Sequence, residues 1–134
     1  MTGLIWTIQL VHYPIFDAVE PGDANARWQR FAHRHTRSIS WVVGPFMLVE
    51  GVTGLWIAAD PPGDIGRLLP LLALVLMGVS YGTTALVSAP LHGRLADAYD
   101  PVLHRRLLTT NWIRTAAWSL RGLVLTMITY QLIT

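Results

Sequence analysis

The sequence predicts an all-α membrane protein: an antiparallel bundle of four transmembrane helices, extended on the cytoplasmic side and forming a single domain over residues 1–134. Three observations predict it. Of the 134 residues, 52% are hydrophobic and 13% charged, about half the charged share of a soluble domain. Apolar stretches recur four times, at 3–16, 38–58, 68–91 and 107–133. The ten basic residues are all arginine, and seven of them (Arg27, Arg30, Arg34, Arg37, Arg94, Arg105 and Arg106) lie between the first and second or the third and fourth stretches.

Stretch 3–16 is the shortest. A spanning helix needs about 20 apolar residues, and even counted from Met1 the sixteen residues to Phe16 reach only about 24 Å, so the first helix is expected to cross by packing against its neighbours. The opening MTGLIWTIQLVHYPIFDAVE lacks a basic n-region and carries Asp17 and Glu20 where a signal peptide would have a small-residue cleavage site, so it reads as a membrane helix. The other three stretches are each long enough to cross. Asp23 can cap a helix that runs through ANARWQRFAHRHTRS into the second span. Asp100-Pro101 places aspartate at N-cap and proline at N1 of a fourth helix. That helix extends to about Ile133, roughly 48 Å, beyond a hydrocarbon core of about 30 Å. Several helices therefore project as a cytoplasmic collar, with tight turns near Glu20–Asp23 and Tyr99–Asp100 and kinks at Pro14 and Pro90. No alternating pattern of a membrane β-barrel is present.

Orientation follows from the arginines, since basic loops stay in the cytoplasm. The loop AADPPGDIG carries only Arg67 at its end and the termini carry no basic residue, so both termini are expected outside. Small residues favour close helix packing within the bundle over homodimerisation: Gly78-x-x-x-Gly82 with Ala85 and Ala89 on the third helix, and Ser40, Gly44, Gly51 and Ala58 on the second. Trp6, Trp41, Trp56 and Trp112 fall near the predicted interfaces, where tryptophan is enriched.

The absence of cysteine excludes disulfides, thiolate metal sites and cysteine nucleophiles. A net charge of +2, without a basic surface interleaved with aromatics, argues against nucleic-acid binding. The partners expected are membrane lipids, with further membrane subunits or a second copy also compatible. Arg27, Arg30, Arg34 and Arg37 recur at helical spacing, and attraction to anionic head groups accounts for them.

Function is sought among ionisable residues inside the spans, which are costly in lipid. Glu50 lies near the middle of the second helix. Asn111, Arg114, Trp118 and Arg121 fall within an arc of about 80° on the fourth, and His104 extends that stripe toward the collar. Matching depth pairs Glu50 with Arg121, a pair whose alternative role is to fix helix register. Arg114 is left without a carboxylate. At its depth come Gln9, His12, His92 and Asn111, a cytoplasm-facing polar pocket. A guanidinium beside an amide suits an anionic or carbonyl-bearing ligand, and His12 and His92 could serve as acid–base groups. His33-Arg-His35 has i, i+2 spacing, which turns its rings to different sides, and no histidines show local metal-site spacing, so no metal is expected. Bis-histidine haem between His12 and His92 is geometrically compatible, though nothing in the spacing requires it.

The phrases WTIQLVHYPIF, RSISWVVGPFMLVE, SAPLHGRL and NWIRTAAWSLRG resemble an uncharacterised family of small bacterial four-helix membrane proteins, which implies a bacterial cytoplasmic membrane location. More loosely, Pro90, His92, Asn111 and Arg114 are similar to positions of the anthrone-oxygenase-like membrane proteins. That resemblance implies cofactor-independent oxygenation of a polyketide-type aromatic. Three functional classes follow: an oxidoreductase-like enzyme using the pocket, a non-catalytic subunit of a larger membrane complex, and an oligomeric transporter.

Overall fold

The computed structural model describes residues 1–18 and 24–134, and among these residues it is helical apart from the connections at 60–67 and 98–100, with no strand. Helix α1 (Thr2–Thr7) runs into a widened π turn, Ile8–His12, and then a tight 3-10 turn, Pro14–Ala18. Helix α2 spans Ala24–Ala59 and α3 spans Leu68–Thr83. A second π turn, Thr84–Ser88, joins α3 to α4 (Ala89–Asp97), and α5 spans Pro101–Ile133. The Glu20–Asp23 turn and the Asp23 cap expected from the sequence lie outside the described residues.

Two rods, Ala26–Ala59 and Leu68–Asp97, are long and apolar enough to cross a membrane. Helix α5 is as long but carries its polar stripe on the buried side: His104, Leu107, Asn111, Arg114, Trp118, Arg121, Val124 and Ile128 are all buried. They recur at three- and four-residue spacing, the mark of one helix face. Asp100 starts this helix by accepting from the Val102 and Leu103 amides at 2.7 and 3.2 Å, with Pro101 behind it at N1.

The prolines act through the turns that precede them. A proline inside a helix lacks an amide and its ring clashes with the carbonyl four residues back. The backbone widens just upstream of Pro14 and Pro90, where Tyr13 N reaches Ile8 O at 3.0 Å and Ala89 N reaches Thr84 O. These i→i+5 bonds let the rods continue. Pro45 sits inside α2 without interrupting it.

The first apolar stretch packs along part of α5 only. Thr2 Oγ1 donates to the Trp118 carbonyl at 3.1 Å and Trp6 Nε1 to Ser119 Oγ at 3.0 Å, while His104 Nε2 meets the Tyr13 carbonyl at 3.0 Å. The first helix therefore lies along residues 104–119 of α5 and leaves the Val124–Ile133 end to α3 and the 60–67 loop. Its length explains this, since α5 is about twice as long. Met1 consequently sits against Glu50, at 3.1 Å, instead of at the far end beside Thr134.

The small residues meet the expectation of packing within the bundle only in part. A Cβ on Gly78 or Gly82 would meet nothing within 4 Å, so neither glycine marks a close helix contact among the described residues. On α2 the expected close approach to α3 is found at Gly51, and also at Gly54, where a Cβ would meet the Tyr81 hydroxyl at 3.2 Å and Met77 Sδ at 3.1 Å. Tyr81 uses the space to donate to the Met47 carbonyl. In the loop, Gly63 and Gly66 take positive φ values of 62° and 66°, which glycine adopts without steric cost.

Candidate functional site

The Trp28 indole donates to the Leu95 carbonyl and Gln29 Nε2 to Asp97 O at 2.7 Å. The start of α2, the end of α4 and the start of α5 thus meet at one end of the molecule, with the seven clustered arginines. Phe16, Trp28, Phe31, Tyr99 and His104 pack there edge to face and face to face. Just beneath this aromatic layer lies the polar core.

Asn111, with no exposed surface, is its hub. It donates through Nδ2 to Gln9 Oε1 at 2.8 Å and accepts at Oδ1 from Arg114 Nη1 at 2.9 Å. Arg114 Nη1 also lies 3.4 Å from Ser88 Oγ, and its guanidinium stands beside the Tyr13 phenol. The Tyr13 hydroxyl in turn meets His92 Nε2 at 3.0 Å. Arg114 is only 4% exposed, its Nε has no hydrogen-bond partner, and no carboxylate pairs with it among the described residues. Arg121, two turns further along the same face, donates to the Glu50 carboxylate and lies 5.4 Å over the Trp118 ring.

A cavity of about 260 Å³ opens beside Arg114, between α2 and the second π turn. Tyr13, Ser88, His92 and Arg114 form its polar floor, and Ile39, Val43 and Met47 its apolar wall. Ser40 and Gly44 line it too. A Cβ on Gly44 would meet nothing within 4 Å, so small side chains on α2 are what leave the space. No family model, curated protein or solved structure matches this chain. What the site can do must therefore be argued from its own chemistry.

Of the residues singled out in the sequence, Gln9, Asn111, Arg114 and His92 belong to one polar network joined through Tyr13, and of these Arg114 and His92 line the cavity. His12 does not line the cavity. Its Nε2 meets Nδ1 of His35 at 2.8 Å, and the His35 ring lies between it and His92, with ring centres 4.6 and 5.5 Å away. That ring fills the slab a porphyrin would need, and His92 Nε2 is already taken by Tyr13, so the arrangement does not fit haem held by His12 and His92. Among the described residues, no three metal-ligating side chains converge.

Sequence reasoning missed Tyr13, Ser88 and His35. The i, i+2 relation to His33 obscured His35, yet Trp28, Ala32, His35, Ile39 and Val43 recur every three or four residues. That stripe faces the bundle, while Arg27, Arg30, Arg34 and Arg37 are all exposed. His35 and His92 lie on the arginine-rich side of the apolar stretches 38–58 and 68–91. Burial lowers both to about 4, His35 with help from His12, and His92 with help from His35, Arg114 and His12. Both imidazoles are neutral at pH 7.

Proposed function

We propose that this protein is a bacterial inner-membrane bundle that binds an amphipathic ligand in the groove between α2 and the α3–α4 rod. The ligand's anionic or carbonyl-bearing head lies on Arg114 and its apolar body lies along Ile39, Val43 and Met47. The observation that carries this reading is the Arg114 guanidinium: buried, without a carboxylate, and aimed at a cavity it helps to line. Burying an unpaired charge costs several kcal/mol, which favours a ligand as the missing counter-charge. Arg121 shows the contrast, because Glu50 already neutralises it.

The arginine-rich end faces the cytoplasm by the positive-inside rule, so the groove opens toward the cytoplasmic leaflet. The apolar outer face of α2, with Trp41 at 75% and Trp56 at 69% exposure, then faces lipid. Tyr13 and His92 beside the head supply acid–base groups, which suits an enzyme acting on that head. The loose resemblance to anthrone-oxygenase-like proteins points to an aromatic substrate.

The test is titration of 2-naphthol into the protein in lipid nanodiscs, read by fluorescence anisotropy against empty nanodiscs. Charge-assisted hydrogen bonds contribute about 1.5–3 kcal/mol, so Arg114→Leu should weaken binding roughly 10- to 100-fold. Equal binding by the two proteins would reject the groove.

A further inference from the structure

We propose that His12, His35, His92 and Tyr13 form a proton path between the arginine-rich surface and the ligand head at Arg114, so that the site takes ligands with an ionisable hydroxyl, such as a phenol, enol or quinol. The path rests on the ligand groove proposed above. His12 is partly exposed at the outer end. Its Nε2 lies 2.8 Å from His35 Nδ1. His35 is buried, its Nε2 has no partner, and its ring centre is 5.5 Å from that of His92. His92 Nε2 meets the Tyr13 hydroxyl at 3.0 Å, and both residues line the groove beside Arg114.

Three imidazoles from three separate helices thus stand in a row. Packing alone would be served as well by the phenyl rings already present, Phe16 and Phe31, which lie 5.0 and 6.2 Å from His35, and would leave no buried nitrogen without a partner. A neutral imidazole has one donor and one acceptor nitrogen, so it takes a proton on one side and releases one on the other. The open step lies between His35 and His92, where a ring rotation or one bridging water completes the row.

The charged and titratable groups that face the row are Tyr13 and His12 from the first helix, His35 from α2, His92 from α4, and His104 and Arg114 from α5. No carboxylate pairs with His12, His35 or His92 among the described residues, so nothing there traps a proton. When the ligand O–H breaks, its proton goes to the Tyr13 oxygen as the Tyr13 proton passes to His92 Nε2. His92 releases one from Nδ1 toward His35, which passes one to His12 and so to water. The ligand remains as an anion against Arg114.

The test uses 2-naphthol, whose hydroxyl becomes strongly acidic when excited, bound to the full chain in lipid nanodiscs. A nanosecond pulse frees the proton, and a pH-indicator dye outside reads its arrival. The wild type is expected to deliver it promptly. His35→Gln, which does not line the groove, is expected to bind 2-naphthol as tightly but to deliver the proton at least ten-fold more slowly, with added imidazole restoring the rate. His12→Gln, at a partly exposed position, should show the same loss and stands in if His35→Gln fails to fold. A folded variant of either residue with unchanged delivery would overturn the path. Failure of the wild type to bind 2-naphthol above empty nanodiscs would overturn the groove, and the path with it.

Discussion

Arg121 of α5 donates to one oxygen of the Glu50 carboxylate of α2 while the Met1 ammonium meets the other, so a single carboxylate answers two cations. Glu50 is 22% exposed and Arg121 5% by side chain, and Arg121 Nε has no partner of its own. The pair therefore carries most of the electrostatic compensation for that guanidinium. Removing one member of a buried pair costs about 3–5 kcal/mol, while replacing both with apolar residues is often neutral. Glu50→Gln should accordingly lower the unfolding free energy in detergent by an amount near the lower bound, about 3 kcal/mol. Glu50→Leu with Arg121→Met should recover only part of it, because the buried Met1 ammonium still loses its carboxylate. A single variant as stable as the wild type would show that the charge is neutralised elsewhere.

Arg114 should respond in the opposite way. Among the described residues it has no carboxylate to strand, so Arg114→Leu removes an uncompensated buried charge and leaves Asn111 Oδ1, Ser88 Oγ and the Tyr13 hydroxyl short of a donor. An unmade neutral hydrogen bond costs about 1–3 kcal/mol, which relief of the buried charge offsets. The expected result is a stability within about 1 kcal/mol of wild type, measured by unfolding in micelles, from a substitution that abolishes tight ligand binding. A loss comparable to that of Glu50→Gln would assign Arg114 a structural role.

Gly44 gives an independent handle on the groove. It lines the cavity, and a Cβ there would touch nothing. Within a helix, glycine costs about 1 kcal/mol relative to alanine. Gly44→Leu should therefore fold at least as well as wild type while its side chain occupies the volume meant for the ligand body. The 2-naphthol affinity should fall about ten-fold or more, since filling an apolar site excludes the apolar contacts that hold a ring. Unchanged affinity would place the ligand elsewhere.

The Asp100 cap and the buried stripe of α5 were open to view in the sequence, because Asp100-Pro101 and the spacing of Asn111, Arg114, Trp118 and Arg121 depend only on local geometry. Depth counting set Glu50 opposite Arg121 for the same reason. What was hidden depends on how helices rotate and slide against one another. Gln9 reaches Asn111, and Tyr13 reaches His92, only because the first helix lies beside the lower part of α5 and does not run its full length. The π turns before Pro14 and Pro90 add a residue to the turn and shift every side chain that follows, so no regular 100° count could place His12 or His92. Small residues were read as contact points, but Ser40 and Gly44 border empty space.

The histidine row makes stability pH-dependent with a definite sign. His35 and His92 are lowered from 6.5 to about 4 in the folded protein, chiefly by burial. Between those two values, the unfolded chain binds protons at these residues that the folded chain does not. Stability then rises with pH. It is fully present above about 6.5 and is lost as the pH falls toward about 4, where charging the imidazoles requires opening the aromatic layer around Phe16 and Phe31. The unfolding midpoint in detergent should therefore drop steadily on acidification through this window. His35→Gln should flatten the dependence by about half, since one of the two depressed groups is gone. Wild type with a flat profile from pH 7 to pH 4 would show that the imidazoles are solvated in the native state, and a row of buried neutral histidines would then be excluded.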